Sequence, residues 1–363
     1  MTETSEEEYC SSFVMPPEWH PHESTWLAWP FNRDTWPTNL QSAQLEYIEL
    51  IRALIESEPV NLIVPKHQLE SFKVCVDDRF SIETDELQIH PFETNDAWIR
   101  DYGPTFTTNG TELAAVDWVY NAWGGKYPPF DDDAKITTQI IESLQRSRPN
   151  VKVRRLQSPL CFEGGAIEVD ESRTLVTTLS CALNPNRNPS WDLEAIETEL
   201  QRCLGVEKIV WFEGNGIIGD DTDGHIDQLI RFAPGNRVLY AEASDSDDPQ
   251  YDPLAKNQIE LHRQFPLLNS QWQHIALPLP NAVVFNRVQI PASYCNFYIT
   301  NQSVIVPQFG DSKSDDRALQ ILRDQFPGRK ILGLPSNHLT VGLGSFHCLT
   351  QQQPKIAACS SKI

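Results

Sequence analysis

Five short strings hold the residue types best suited to chemistry: WIRDYGP at Asp101, FEGGAIEVD at Glu163, DTDGHIDQ at His225 and Asp227, SYCNFYI at Asn296, and GSFHCLT at Cys348. A thiol, an imidazole and several carboxylates suit a nucleophile, a proton carrier and a grip on a cation. Cys348 stands out among eight cysteines by its company. Gly342 and Gly344 before it permit close backbone approaches, while Thr350, Gln351 and Gln352 after it are odd neighbours for a small core hydrophobe. Taken alone, these residues leave a core role for Cys348 open.

The other strings carry their own alternatives. His225 and Asp227 lie two apart in a run that reads as a strand, which puts both on one face and Ile226 on the other; an exposed edge strand is the plainer account. Glu163 precedes Gly164 and Gly165, the makings of a tight turn, and a solvated loop glutamate fits equally well. Asp101 adjoins Arg100, so a local ion pair competes with a binding role. His347 and Cys348 are neighbours on a chain read as extended, so they face opposite ways and His347 is not expected to serve as the base of the thiol. Asp220, Asp221 and Asp223 read as a solvated loop near His225.

Asp101, Glu163, His225, Asn296 and Cys348 fall at intervals of 62, 62, 71 and 52 residues. Between them one order of elements recurs. Helical periodicity predicts helices over 40–57, near 132–147, within SWDLEAIETELQRCL, around 253–265 and around 313–326. Each is followed by a short strand (VNLIV, VKVRRL, EKIVWF, QHIALPL, KILGL) and preceded, from the second unit on, by a hairpin-like pair. Units that each expose an apolar face must stack, and stacking that closes into a ring leaves few strand edges. Polar groups repeated at one end of such a ring converge on its axis. This favours an α/β ring of about five units over an open α/β sheet in two domains.

Composition sets the outer bounds. The chain has 363 residues, 40% of them hydrophobic and 22% charged, enough for a real core. Fifty acidic against 29 basic residues give a net charge of −21, which argues against nucleic acid as a partner and suits a small cationic one. Residues 1–12 are acidic, lack the apolar core of a signal peptide and read as a disordered tail, leaving 13–363 as a single domain. No apolar run approaches the roughly 20 residues of a membrane helix. Scattered cysteines without a C-x-x-C pair fit reduced thiols in the cytoplasm, with neither a disulfide framework nor a cysteine-based zinc site. His20 and His22 flank Pro21 with no further ligand pattern, so no metal is expected there.

MPPEWHPHESTWLAWP, NDAWIRDYGPTF, DWVYNAWGG, FEGGAIEVD, TDGHIDQ, SYCNFYI and FHCLTQQQP run from Met15 to Pro354. In content and order they resemble the landmarks of the agmatine deiminase family, grouped with bacterial-type peptidyl-arginine deiminases in the guanidino-group-modifying (pentein) superfamily. The resemblance implies a fivefold pseudosymmetric α/β propeller and a hydrolase with neither metal nor organic cofactor. It implies that Cys348 is the nucleophile and His225 the acid/base. Asp101 and Asp227 would grip a guanidinium, Glu163 would stand near the histidine, and Trp98, Trp123, Asn296 and Gly344 would line the pocket. The substrate so implied is a small cationic guanidino compound: agmatine, with peptidyl-arginine or another arginine compound as the alternative. Homo-oligomerisation stays open.

Two carboxylates can hold the flat guanidinium cation by paired charge-assisted hydrogen bonds, and that cation favours the thiolate beside it. Gly342 and Gly344 are expected to let the backbone fold round the planar group. The chain also departs from the pattern. GLGSF lacks the asparagine of the glycine-rich run, and Glu168 stands where a histidine follows the EGG string. Lys126, after NAWGG, is expected to point to solvent; reaching inward, it could bind a substrate carboxylate. A cysteine hydrolase of amide bonds and a non-catalytic guanidine binder are the other classes. Ammonia release from agmatine separates both from a deiminase.

Overall fold

The computed structural model describes residues 12–77, 86–268 and 271–357. The acidic tail expected over 1–12 lies outside these except for Ser12. Within them the predicted order of elements recurs as five small sheets of three or four strands, beside a separate two-stranded ribbon of Val284–Phe285 and Val288–Gln289.

Four sheets share one plan, an antiparallel hairpin whose second strand pairs in parallel with a third. They comprise Thr105–Thr108, Leu113–Val119 and Val153–Cys161; Glu168–Val169, Thr174–Thr178 and Lys208–Phe212; Ile230–Ala233, Arg237–Glu242 and Gln273–Pro278; and Tyr298–Ile299, Ser303–Gln308 and Lys330–Pro335. A parallel partner requires a crossover, and a helix supplies it each time: Ile136–Ser147, Leu193–Leu204, Tyr251–Leu268 and Ser312–Gln325. The fifth sheet is assembled from both ends of the described chain. Gln351–Pro354 runs antiparallel to His22–Ala28, which pairs in parallel with Val60–Ile63 across helix Leu40–Ile55, and Leu87–His90 extends the edge.

Local sequence accounts for these elements. Helix Ile136–Ser147 buries Ile136, Ile140, Ile141 and Leu144, one stripe at helical spacing. Helix Leu193–Leu204 begins where the Asp192 side chain accepts the Ala195 N–H at 2.9 Å and ends at Gly205, left-handed at φ 64°. Strands such as Leu113–Val119 and Ser303–Gln308 are almost wholly buried because helices cover them. No helix among the described residues is long and apolar enough to cross a membrane.

Two segments read as extended are helical turns. Ile99–Tyr102 is one turn of helix and Ile226–Gln228 a 3-10 turn, each leading into its hairpin. Gly164–Ala166 and Tyr294–Asn296 do the same in their units. In HIDQLIRF, Ile226 and Leu229 are both buried; their spacing of three is the 3-10 period, which the alternation read along the string concealed.

A buried charge network ties these units together. Glu18 Oε1 accepts from Arg231 Nη2 at 2.8 Å and from the Ile299 N–H at 2.7 Å, while Glu18 Oε2 meets His347 Nε2 at 2.9 Å and Arg100 Nη2 at 3.4 Å. Arg231 also donates to Glu168 at 3.1 Å and to the carbonyls of Cys295 and Phe297. Glu168, the departure from the family pattern, is therefore a buried counter-charge. Burial alone would raise the Glu18 pKa, but Arg231, His347 and Arg100 outweigh it and hold the carboxyl well below its usual range. A depressed carboxyl stabilises the fold above its unfolded pKa, and that contribution is lost as pH falls towards the folded one. Glu18→Gln should cost about 3–5 kcal/mol in urea denaturation at neutral pH, and its stability should fall less steeply below pH ~4 than that of the native protein. Unchanged stability would refute the network's role.

Candidate active site

The helical turns that open the units bring their polar side chains to one place. Gly165 marks it. A Cβ there would stand 2.5 Å from His225 Nδ1, 2.8 Å from Asp101 Oδ1 and 3.2 Å from Asp227 Oδ2, so only glycine fits between these three groups. The Gly165 N–H donates to Asp101 Oδ1 at 2.9 Å.

Cys348 sits in the turn before Gln351–Pro354, 6% exposed. Its sulfur lies 3.1 Å from Asn296 Nδ2 and 3.4 Å from Asp227 Oδ2. Asn296 is fully buried, and its Oδ1 accepts the backbone N–H groups of His347 and Cys348 at 3.1 and 3.4 Å. The expected pocket-lining residue is therefore a support behind the thiol. Its place at the end of the 3-10 turn Tyr294–Asn296 aims it at the Cys348 turn instead of the cavity. Burial, then the negative charges of Asp227 and Asp101, push the Cys348 thiol well above the ordinary thiol range.

Asp101 and Asp227 are buried and differ in their support. Asp101 Oδ2 accepts from Trp123 Nε1 at 2.9 Å, yet burial and the neighbouring Asp227 and Glu163 raise its pKa to about 6 against the pull of His225. Asp227 Oδ2 meets His347 Nδ1 at 2.8 Å. Burial opposes its charge, but His347 and His225 overcome this and keep its pKa below the usual value. Asp227 Oδ1 is buried without a hydrogen-bond partner. A buried carboxylate oxygen left unpaired is costly unless a ligand completes it. His347 and Cys348 lie in a turn and not on the extended chain read from the sequence, and the two ring nitrogens of His347 join Asp227 to Glu18.

His225 lies with Nδ1 3.7 Å from Asp101 Oδ1 and Nε2 3.5 Å from Glu163 Oε2. Burial disfavours its charged form, but Asp101, Cys181 and Glu163 prevail and hold its pKa well above the usual imidazole range. Glu163 is fully buried, clamped by Arg187 Nε at 2.8 and 3.0 Å. Arg187 extends to Asp223, which pairs with Lys126 Nζ at 2.9 Å. Lys126 therefore does not point freely to solvent, and Asp223 is not a simple solvated loop residue. The sequence reading missed Arg187, in the string NPNRNP, because no local pattern links it to Glu163, 24 residues away.

The thiol and Asp101 open onto a cavity of about 680 Å³, behind which His225, Asp227 and Glu163 form a deeper layer. Trp98 and Trp123 line it. Trp123 stands in an unusual loop: Ala122, Trp123, Gly124 and Gly125 all have positive φ, between 54° and 90°. Two non-glycine residues in that region carry strain of about 1–3 kcal/mol each, and the result aims the indole N–H at Asp101. Trp98 packs on Trp36 at 5.5 Å. Gly342 and Gly344 make room for it, since a Cβ at either would come within 2.8 or 2.5 Å of its ring. Neither glycine has a positive φ; Leu343 between them does, at 73°. Both glycines line the cavity, where Gly344 was expected, and they also admit an aromatic wall. Asp34, Asp96, Asp133 and Asp221 also line the cavity, and among the described lining residues Lys126 is the only cation.

An agmatine deiminase of Ectopseudomonas mendocina is 34% identical over 367 residues, 94% of this chain and 95% of that one. A solved agmatine deiminase of Enterococcus faecalis, described as catalysing its reaction, is 31% identical with a TM-score of 0.84, covering 97% of this chain and 98% of that one. A C. jejuni agmatine deiminase variant with substrate bound is 28% identical, also at 0.84, covering 95% and 97%. The fold is thus the mixed α/β fold of agmatine deiminases. Residues 14–354 match the Porphyromonas-type peptidyl-arginine deiminase family, to which the chain belongs.

The electrostatics of the thiol yield a test without substrate. A raised thiol pKa means that thiolate gathers only at high pH. Iodoacetamide labelling of Cys348 should therefore keep rising beyond the pH at which an ordinary thiol has levelled off. Asp227→Asn removes a negative neighbour and should move that midpoint down, speeding labelling at neutral pH. Peptide mapping by mass spectrometry reads both, and slower labelling in the variant would contradict the assignment.

Proposed function

We propose that the protein is an agmatine deiminase that hydrolyses the guanidinium of agmatine to N-carbamoylputrescine and ammonia through a covalent thiouronium on Cys348. The observation that carries this reading is the pairing of Lys126 with Asp223. It leaves a cavity lined by five aspartates with its one lysine already neutralised. Agmatine is a dication without a carboxylate, so it suits such walls at both ends, whereas the arginine carboxylate would find no cation among the described lining residues that is not already paired.

The geometry supports the following roles. Asp101 and the unpaired Oδ1 of Asp227 take the guanidinium N–H groups, which fixes the central carbon beside the sulfur. The bound cation offsets the two charges that hold the thiol protonated, so the thiol releases its proton to solvent as substrate binds and thiolate forms. Cys348 Sγ bonds to the guanidinium carbon. His225, already protonated, gives a proton to one nitrogen, and the C–N bond breaks to release ammonia. The neutral imidazole then takes a proton from water as its oxygen bonds to the thiouronium carbon, and breakage of the C–S bond frees the ureido product and the thiol. Glu163, locked by Arg187, holds the ring in place. Trp98 and Trp123 flank the substrate, and Asn296 steadies the sulfur.

The same proposal includes the architecture around the site, a fivefold pseudosymmetric propeller forming one catalytic domain over 13–363. Contacts between successive helical turns, from Ile99–Tyr102 through Gly164–Ala166 and Ile226–Gln228 to Tyr294–Asn296, support it. So does the return through Asn296 to Cys348 and from the Cys348 carbonyl to the Arg100 N–H at 3.3 Å. All six cysteines among the described residues are free, in keeping with a reducing cytoplasmic setting.

Two measurements test the reading. Agmatine should exceed free arginine and a peptide-bound arginine in kcat/KM by at least about tenfold, or about 1.4 kcal/mol, and Lys126→Leu should barely move the ratio. Comparable turnover of either arginine substrate would overturn the assignment. The Asp101 carboxylate must be ionised to hold the guanidinium, and its pKa in the free protein is about 6. Hence kcat/KM should fall as pH drops through about 6, and Asp101→Asn should lower it by about two orders of magnitude or more at neutral pH. A profile flat to pH 5 would remove Asp101 from the grip.

A further inference from the structure

We propose that Glu163, Cys181 and His225 form an inhibitory site for a zinc ion, one layer behind the substrate cavity. The consequence for turnover rests on the acid/base role of His225 above; the site itself does not. Three donors of the types zinc prefers, an oxygen, a sulfur and a nitrogen, lie within 4.8 Å of one another. Glu163 Oε2 is 3.5 Å from both Cys181 Sγ and His225 Nε2. Zinc bonds of about 2.0–2.3 Å at tetrahedral angles place ligand atoms roughly 3.3–3.8 Å apart, so these two edges need little movement to close.

A second observation points to a ligand. His225 is 1% exposed and neither ring nitrogen has a hydrogen-bond partner, with Nε2 directed at this cluster. The surroundings are those of a supported metal site. His225 Nδ1 faces Asp101 Oδ1 at 3.7 Å, as a carboxylate behind a zinc-bound histidine does, and Arg187 orients Glu163. A thiolate with an imidazole favours zinc over magnesium or calcium, which take oxygen ligands. The local spacing of cysteines and histidines gave no hint of it, because the ligands come from three separate segments.

Zinc bonded to Nε2 replaces the proton there, so the ring can no longer cycle between imidazolium and neutral imidazole as the acid/base role requires, and turnover stops while Cys348 stays free. Zinc alone is the probe, added to the full chain in a reductant without thiols. One ion should bind per chain and abolish ammonia release from agmatine, with recovery on adding EDTA. Cobalt in its place should show a thiolate charge-transfer band that persists in Cys348→Ser and vanishes in Cys181→Ala. Cys181→Ala, compared with its own turnover in the absence of zinc, should raise the half-inhibiting zinc concentration by more than the roughly 10–100-fold that loss of a supporting residue costs. Should Cys181→Ala fail to fold, Cys181→Ser serves for the same readouts.

A band lost in Cys348→Ser but kept in the Cys181 variant would place the metal on the nucleophile and overturn the proposal, as would an absence of binding. A band with the predicted cysteine dependence in a chain inactive towards agmatine would support the site while refuting the proposed function.

Discussion

Everything around the thiol depends on one buried carboxylate, Glu18. Its two oxygens gather Arg231, Arg100 and His347, and those three in turn contact Glu168, Asp227, the carbonyls of Cys295, Phe297 and His347, and Gln352. Opposite charges removed from water must be paired and fully hydrogen-bonded to coexist, so the network tolerates few arrangements. That requirement orients His347, His347 orients Asp227, and Asp227 stands 3.4 Å from the sulfur. The position of the site is therefore fixed by ionic pairing between units as much as by the packing within each.

The centre itself is built to be incomplete without a cation. Asp101, Asp227 and Glu163 crowd a space that water barely reaches, with a carboxyl raised to about 6, an unpaired carboxylate oxygen and a thiol held protonated. On the proposed mechanism each of these unfavourable features would be relieved by the same event, arrival of a planar positive group between Asp101 and Asp227. Chemical reactivity is thereby coupled to occupancy: the resting thiol is poorly nucleophilic, which protects it from indiscriminate modification.

The sequence made the recurring order of elements legible, and also the five strings with chemical residues, because hydrophobic periodicity and turn composition are local. It was less informative wherever partners are distant. Glu18 and Arg231 are 213 residues apart, and nothing near either announces the pair. Asn296 was assigned to the cavity wall and proved to be a support, a distinction set by the angle of one 3-10 turn. His225 and Asp227 were placed on a strand face. They reach the same centre from a turn, since three residues per turn and two per strand are hard to tell apart over four residues. Lys126 shows the same limit: its exposure depended on Asp223, almost a hundred positions along.

The sheet closed by Gln351–Pro354 on His22–Ala28 imposes an order on synthesis. The first strand emerges from the ribosome with one edge that no earlier residue can satisfy, and its partner appears more than three hundred residues later. Contacts of such sequence separation form slowly, and an unpaired strand edge invites association with other chains. The nascent protein thus carries that unpaired edge as an aggregation hazard until Gln351–Pro354 is made. Any chain interrupted before that strand lacks both the closing edge and the turn that seats the sulfur.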